Sequence, residues 1–600
     1  MSISTFGSFT QARLGIYAAQ AGLSITGNNI ANINTPGYTR QKLIQTSFYS
    51  GGSDRYYSST SISIGNGVLC KGTSQMRDPY LDLRYRNESA SVGAMSAKLG
   101  SLQEIQRILD ETGKGEEGFG VLGAQLNDFF KQLENLNNHT GLAEYDIQVR
   151  SSAESLSKLF NSYSSQLREA ELNAKDNLAV DVKSINSILE SIRGLNNSIR
   201  KSELHGDPAL ELRDERNLLI DQLSAFIKID VYEEPEIYGG AQVNKLVIRL
   251  GNANPDPLSP NDQAELINGV YGTQISIPET VTDANGVEVP NDNLLVTLSA
   301  LKDSKDRVYQ EGLPKESHPV QLADNDLYGA LQSEREFLTE SGEFSPQSAL
   351  DADPKAAVKR GIPFYRKALD LLANQFAATF NEANQGYIRN EKGEYVTAVG
   401  DVILDADGNA ITVDTPMTPD LKNYLDTHGG QFLGTALFSN RGDGNDTTGI
   451  TAENISISKN WATGPQIINS FVQHGDMGVG STDSSNIGHM LVLMGTKIEF
   501  KPGEGANPDS PMFRGTFNEM WDNLGTVLGN DMMTTNTMLN TYQASSLSLD
   551  TSRDGVSSVD LNDEAASLMQ YSKSYSAACR LMTTIDSILD KLIDGTGMTR

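Results

Sequence analysis

Groups of residues spaced to hold a metal or activate a nucleophile are few in this chain of 600 residues. Asp405-Ala406-Asp407-Gly408-Asn409 places three oxygen-bearing side chains two residues apart, the way a calcium loop begins. It lacks the full D-x-D-x-D-G spacing and the closing Glu, so it reads as a hairpin turn. Asp283-Ala284-Asn285-Gly286 and Arg441-Gly442-Asp443-Gly444-Asn445 carry the same turn chemistry. None of His139, His205, His318, His428, His474 and His489 pairs with another at metal-ligand spacing, and HExxH is absent. Cys70 and Cys579 lie near opposite ends with no CxxC, which leaves a single bridge open only if the chain ends meet. Glycine-rich stretches lack a P-loop lysine, and GxSxG does not occur. No catalytic, cofactor-binding or metal-binding residue is assigned, and an enzyme is not the expected class.

The charge balance excludes another class. Seventy-seven acids against 48 bases give a net charge of −29. A surface so acidic repels phosphate backbones, so no nucleic-acid partner is expected. No stretch approaches the ~18 apolar residues of a membrane span. The start lacks a basic region, and Gln11, Arg13 and Gln20 interrupt any apolar run, so a cleavable signal peptide is not expected. The chain is expected to stay in the cytoplasm or leave by a route that cleaves nothing. Against this acidic average, Met1–Ser53 contains no Asp or Glu at all. That segment is built to pack against something.

The two chain ends show how. Phe9, Ala12, Ile16, Ala19, Leu23, Thr26, Ile30 and Ile33 alternate by three and four residues, a heptad stripe along one helical face. The other faces carry Ser, Thr, Asn, Gln and Gly where a solvent-exposed coiled coil would carry paired charges. The helix is expected to stop near Asn34, because Pro36 disfavours a helical Thr35, and Pro36-Gly37 suits a type II turn. At the far end Leu561, Ala565, Leu568, Ser572, Tyr575, Cys579, Met582, Ile585, Leu589 and Leu592 follow similar spacing, with Asp560 placed as N-cap. Burying Phe9, Ile16, Leu23, Ile30 and Ile33 contributes about 1.5–3 kcal/mol each. Ordering costs about 1–2 kcal/mol per residue over nearly the whole helix. A lone helix loses and a pair is marginal, so both ends are expected to fold only on assembly. The interface residues assigned on this reading are Phe9, Ile16, Leu23, Ile30 and Ile33 with Leu568, Tyr575, Met582, Ile585 and Leu589.

Between the ends the periodicity alternates. Helical pattern runs from Leu81 to about Asp230, including one long amphipathic stretch from Leu142 to about Leu204. Lys245–Leu250 and Leu294–Leu298 read as strands punctuated by Pro255, Pro257 and Pro260. The predicted class is mainly α with inserted β domains: terminal coiled-coil-type helices, a discontinuous helical shaft and outward β-rich domains. The expected segments are an N-terminal axial core (1–79), shaft (80–230), β insertion (231–325), shaft (326–386), second β insertion (387–459), shaft (460–554) and C-terminal axial core (555–600).

The run Thr26–Gln41, TGNNIANINTPGYTRQ, resembles the N-terminal signature of the flagellar rod, hook and hook-associated axial proteins. Asn29, Ile30, Ala31, Asn32, Thr35, Pro36, Gly37 and Tyr38 carry it. Leu126–Phe130 resembles the family's LxDFF helix, and Leu212-Arg213-Asp214-Glu215-Arg216 its LRDER element. Leu369–Gly386 and the closing run from Asp563-Glu564-Ala565-Ala566 also resemble family elements. Ser572-Lys573-Ser574 departs from a stretch the family usually fills with Gln or Ala. The resemblance implies a structural subunit of the hook–filament junction, homo-oligomeric in a tubular ring. It implies contacts with the flagellar hook protein, hook-associated protein 3 and an export chaperone, and passage through the type III apparatus to the outside of the cell. Hook or rod membership, or a secreted axial-type protein with an added adhesive β domain, are the alternatives.

Overall fold

A computed structural model describes residues 5–47, 67–109, 120–238, 241–251, 264–282, 287–303, 305–308, 320–322, 327–385, 394–397, 399–412, 421, 424–425, 427–430, 435–441, 444–464, 468, 484–505 and 507–596. Helix α1 (Thr5–Ala31) opens the chain, followed by the antiparallel hairpin β1 (Gln41–Ser47) and β2 (Val68–Gln75). Four helices follow: α2 (Pro79–Leu109), α3 (Val121–Asn138), the 62-residue α4 (Ala143–Leu204) and α5 (Leu210–Phe226). α1 ends three residues before the expected Asn34, because Asn32 Nδ2 turns back onto the Asn28 carbonyl (3.0 Å) and closes the last turn.

A four-stranded antiparallel sheet comes next, β3 (Ile229–Tyr238), β4 (Ala241–Leu250), β5 (Glu265–Asn268) and β6 (Tyr271–Gly272), in sequence order. Edge strand β3 carries Glu233, Glu234, Pro235 and Glu236, which protect it from pairing with another chain. Two small sheets follow: β7 (Ile275–Ser276), β10 (Thr297–Leu298) and β11 (Val320–Gln321) in the order β11-β10-β7, and the antiparallel pair β8 (Thr280–Thr282) and β9 (Glu288–Pro290). Of the expected strand Leu294–Leu298, only Thr297 and Leu298 pair as strand. Leu294 has φ +49°, and the Asn291 side chain takes the Leu295 N–H at 2.7 Å.

Helix resumes with α6 (Ala330–Thr339), α7 (Gln347–Ala352) and α8 (Ile362–Asn384), then β12 (Phe438–Asn440), β13 (Ile455–Ile457), α9 (Lys459–Thr463) and α10 (Ser485–Gly495). The hairpin β14 (Ile498–Phe500) and β15 (Phe513–Gly515) leads into α11 (Phe517–Ser557), and α12 (Leu561–Thr596) closes the described chain. Thr516 and Glu519 form a reciprocal capping box at the start of α11, and Asp560 caps α12 by accepting the Asn562 N–H at 2.7 Å. The core is continuous from α2 through α11. Phe129 of the Leu126–Phe130 motif sits at its centre, with ring centroids 5.5 Å from Phe376 and 5.2 Å from Phe380. Asn381 on α8 anchors the returning strand, accepting from the N–H groups of Leu437 and Phe438 and donating to the Phe438 carbonyl. A separate small cluster of Tyr395, Ile403, Ile411 and Leu425 lies beyond α8. Gly386 lies outside the described residues. Among the described residues no helix is long and apolar enough to cross a membrane.

One carboxyl pair ties α4 to α6. Burial, a hydrogen bond to Asp181 and that group's negative charge push Glu334 up to about 8. An unfolded glutamate titrates near ~4.3, so over this window the native state holds a proton the unfolded chain has released. The resulting stability is complete below the unfolded value and is lost as pH rises through the folded one. Thermal midpoints at constant ionic strength are therefore expected to fall between roughly pH 5 and 8, and Glu334→Gln should make that slope shallower.

Candidate assembly interface

The two chain ends pack on each other as an antiparallel pair. Gly15 on α1 lies against Ala578 on α12, Gly22 against Tyr571, and Arg40 just beyond α1 against Glu564. Along α1 the covered face runs through Ala12, Gly15, Ala19, Gly22, Thr26 and Asn29, a heptad pattern of small residues. A Cβ at Gly22 would stand 2.5 Å from the Tyr571 ring, so only glycine lets that ring lie on the α1 backbone. Along α12 the covered or half-covered positions are Glu564, Ser567, Tyr571, Tyr575, Ala578, Cys579, Met582, Ile585 and Leu589.

This seam lies one residue round the helix from the apolar stripe predicted for α1. Ala12, Ala19 and Thr26 belong to both. Ile16, Leu23 and Ile30 flank the seam half-buried, while Phe9 and Ile33 are each 39% exposed. On α12, Tyr575, Met582, Ile585 and Leu589 face α1, but Leu568 stays 39% exposed. There Glu564 and Tyr571 take the inward positions, because Arg40 binds Glu564 and Gly22 receives Tyr571. Exposed Tyr17 on α1 and Leu561, Met569, Leu581, Ile588 and Ile593 on α12 extend the uncovered apolar surface.

A clasp of polar groups fixes this pair to the body, and the predicted signature supplies its centre. Asn29 is buried, accepting from the Tyr38 hydroxyl (2.9 Å) and the Gln41 N–H (3.0 Å) while donating to the Gln41 carbonyl (3.0 Å). Thr35-Pro36-Gly37-Tyr38 forms the expected turn, with Gly37 at φ +77° against Leu218 and Tyr38 N–H on the Thr35 carbonyl. Ile30, Ala31 and Asn32 finish α1 beside it. Thr39 N–H then reaches Asp214 (3.0 Å), and Gln41 Nε2 reaches Glu211 (3.0 Å), both on α5. Burial pushes the Asp214 carboxyl above the usual range, and the hydrogen bonds from Thr39 oppose that shift. Tyr38 is pushed up to about 12 by burial and by the nearby acids Glu211, Asp214 and Glu564.

The clasp extends to the C-terminal helices. Arg40 donates to Glu564 at 2.7 Å and Asp563 at 3.3 Å, and its N–H bonds the Ser557 carbonyl. Glu564, only 3% exposed in its side chain, needs that cation. Beneath lies a second knot, where Asp221 on α5 receives Arg86 of α2 (2.7 Å) and Arg553 of α11 (2.8 Å). The signature, the LRDER element and the Asp563-Glu564 opening of α12, separate in sequence, thus meet in one place. Asn29→Ala removes three hydrogen bonds and leaves buried partners unpaired, at about 1–3 kcal/mol for the exposed loss. Chymotryptic cleavage after Tyr38 should accelerate accordingly, and unchanged cleavage would contradict the role given to Asn29.

Among the described residues no group of three or more His, Cys, Asp or Glu is placed to hold a metal ion. Asp405 instead accepts the N–H groups of Asp407 and Asn409 in a turn. Residues 283–286, 442–443, His318 and His474 lie outside the described residues. Cys70 and Cys579 are both free thiols, on β2 and α12. Arg40, Arg553, Asp221 and Gly22 went unpredicted. The small-residue heptad offset by one from the apolar stripe was the available signal for Gly22. No local signal marks the long-range ion pairs.

Residues 12–39 match the flagella basal body rod protein family, and residues 555–594 the C-terminal family of flagellar basal body rod FlgEFG proteins. Those two matches cover both members of the seam and define the class, an axial protein of the flagellum. Residues 102–394 match the helical domain of flagellar hook-associated protein FlgK. The chain is 25% identical over 600 residues to flagellar hook-associated protein 1 of Bacillus subtilis (strain 168), covering 99% of each. It is 22% identical over 602 residues to that of Salmonella typhimurium, covering 97% of this chain and 98% of the relative. The structure of the flagellar hook junction protein FlgK from Burkholderia pseudomallei superposes with a TM-score of 0.44 at 12% identity, covering 79% of this chain and all of the other. Over its full length the chain is similar to flagellar hook-associated protein 1, and these matches support a structural subunit of the flagellar hook–filament junction.

Proposed function

We propose that α1 and α12 are the polymerising element of this subunit and become ordered by contact with neighbouring copies. The observation that carries this is the mismatch at the seam. Small residues fill the α1 side of the intrachain contact, while Phe9, Ile16, Leu23, Ile30, Ile33 and Leu568 flank it partly or largely uncovered. Ala and Gly bury little apolar area, worth about 25 cal/mol per Å2, against an ordering cost of about 1–2 kcal/mol per residue. Contacts with neighbours supply the difference, so the ends order where a template already stands.

On this reading the chain leaves the cell without cleavage, guided by an export chaperone. It closes into a homo-oligomeric tubular ring between the hook protein and hook-associated protein 3. Segments 1–79 and 555–600 form the axial core, 80–230, 326–386 and 460–554 the shaft, and 231–325 and 387–459 face outward. The work done is structural, without catalysis. Leu23→Asp and Leu568→Asp each place a charge where a neighbour must cover it. Each variant should melt within about 1 °C of the parent chain. Neither should be recovered in flagella of cells lacking their own copy. Normal recovery of both would overturn the proposal. In dilute parent chain, protease should cut within the first forty residues before it cuts the body.

A further inference from the structure

A cleft opens where β6, β7 and the turn after β10 meet α4. It encloses about 250 Å3, the space of roughly eight waters at ~30 Å3 each, or of one six-membered ring with its substituents. Among the described residues that line it, only Leu189 and Ala300 carry wholly apolar side chains, so the cleft does not suit an apolar ligand. Arg193 and Lys302 are matched by Glu190 and Asp306, which leaves no net charge in the cleft of a chain carrying −29. A free anion or a metal ion therefore finds no excess of opposite charge there.

The walls are fixed by bonds to the backbone. Asn186 on α4 accepts the Ile275 N–H and donates to the Ile275 carbonyl, both at 2.8 Å. Arg193 donates to the Lys302 carbonyl (3.0 Å), and Lys302 and Gly272 join their segments through both backbone amides. A Cβ at Gly272 would stand 3.3 Å from Arg193 Cδ, so glycine allows this close approach. Asp303 accepts the N–H groups of Lys305 and Arg307 and turns the chain, which carries Asp306 into the left-handed region at φ +58°. Backbone strain of this kind collects at ligand-binding sites.

The side chains left over are polar and unspent. Arg193 holds Glu190 through one carboxylate oxygen, and the other can still accept. Among the described residues, the side chains of Gln274, Ser299, Lys302 and Asp306 have no hydrogen-bond or ion-pair partner, and all of them line the cleft. Two carboxylates, an amide, a hydroxyl and an ammonium group thus face one small space. A sugar hydroxyl both donates and accepts, so a polyhydroxylated ring engages this mixture without leaving a charge unpaired. We propose that the cleft binds a neutral hexose unit, free or at the end of a glycan. Glu190 and Asp306 accept from its hydroxyls, and Gln274, Ser299 and Lys302 donate to its oxygens. The site lies apart from the seam and the clasp, so it stands whether or not the chain polymerises.

The test titrates D-glucose, D-galactose and D-mannose into dilute full-length chain, followed by saturation-transfer NMR. At least one hexose should saturate, with a Kd on the order of 1 mM for so small a polar ligand. Glu190→Gln and Asp306→Asn should each raise that Kd about tenfold or more, since each weakens a hydrogen bond to a charged acceptor. Both side chains are exposed and asparagine tolerates a positive φ, so both variants should melt like the parent. Glu288→Gln, exposed on β9, is the control and should bind like the parent. The methyl glycoside of the sugar that binds should match it if the unit enters as a chain end, and should bind more weakly if the free sugar is the ligand. Failure of all three hexoses to saturate overturns the proposal. So does parent-like binding by both site variants, or displacement of the hexose by an equal concentration of inorganic phosphate.

Discussion

Gly22→Leu is expected to remove this chain from flagella while leaving its body intact. The Tyr571 ring occupies the space a side chain would take, with three ring carbons 2.5–2.6 Å from the position of a Cβ. Both helices have to separate to admit leucine. Overpacking of this kind costs about 1–3 kcal/mol at each such contact, a factor of roughly ten to a hundred in an association constant. In the proposed polymer that loss recurs at every subunit, so the effect on assembly exceeds that of a single pair. Gly22 makes no contact with the core of α2 through α11, so the thermal midpoint of the body should not change. Recovery of the variant in purified flagella, set against its melting curve, measures both halves of the expectation. The compensating pair Gly22→Ala with Tyr571→Ala should restore part of the recovery that Gly22→Ala loses alone. Absence of coupling between the two sites would show that the seam does not form as described.

The largest stability loss is expected from Asp221→Ala. This carboxylate receives Arg86 from α2 and Arg553 from α11, and all three side chains are mostly buried. Arg86 also reaches Asn217, and Arg553 lies against Asp550 and the Tyr85 ring, so each cation keeps some partners. Removing the shared acceptor still leaves two charges inside the protein facing each other. Breaking a buried pair in this way costs about 3–5 kcal/mol. The loss should fall on the junction of α2, α5 and α11. Amide exchange should therefore speed up most over residues 545–557, together with a lowered thermal midpoint. Asp221→Asn preserves the shape and one acceptor, and is expected to lose less, about 1–3 kcal/mol. A midpoint unchanged in Asp221→Ala would mean that the knot contributes no net stability.

Much of this protein is legible in its residues because the signals are local. The long amphipathic pattern of α4, the Pro36-Gly37 turn and the Asp560 cap each depend on neighbours a few positions away. The absence of acids from Met1–Ser53 and the heptad spacing at both ends likewise point to a packing role without any coordinates. Leu294–Leu298 shows the limit, since its apolar run reads as a strand while Asn291 takes the Leu295 amide and turns the chain.

The sequence by itself determined that both ends are heptad helices, the first of them free of acidic residues, and that the chain carries an axial-protein signature. Only the tertiary structure decided which stripe of α1 faces α12, and it chose the small residues one position round from the large ones. The physical reason is that a heptad pattern defines a face only to within one residue of rotation. The Tyr571 ring and the Arg40–Glu564 pair, more than 500 residues apart in sequence, settle the remainder. The same holds for the clasp, where Asn29, Asp214 and Glu564 become one network only when three distant helices are brought together.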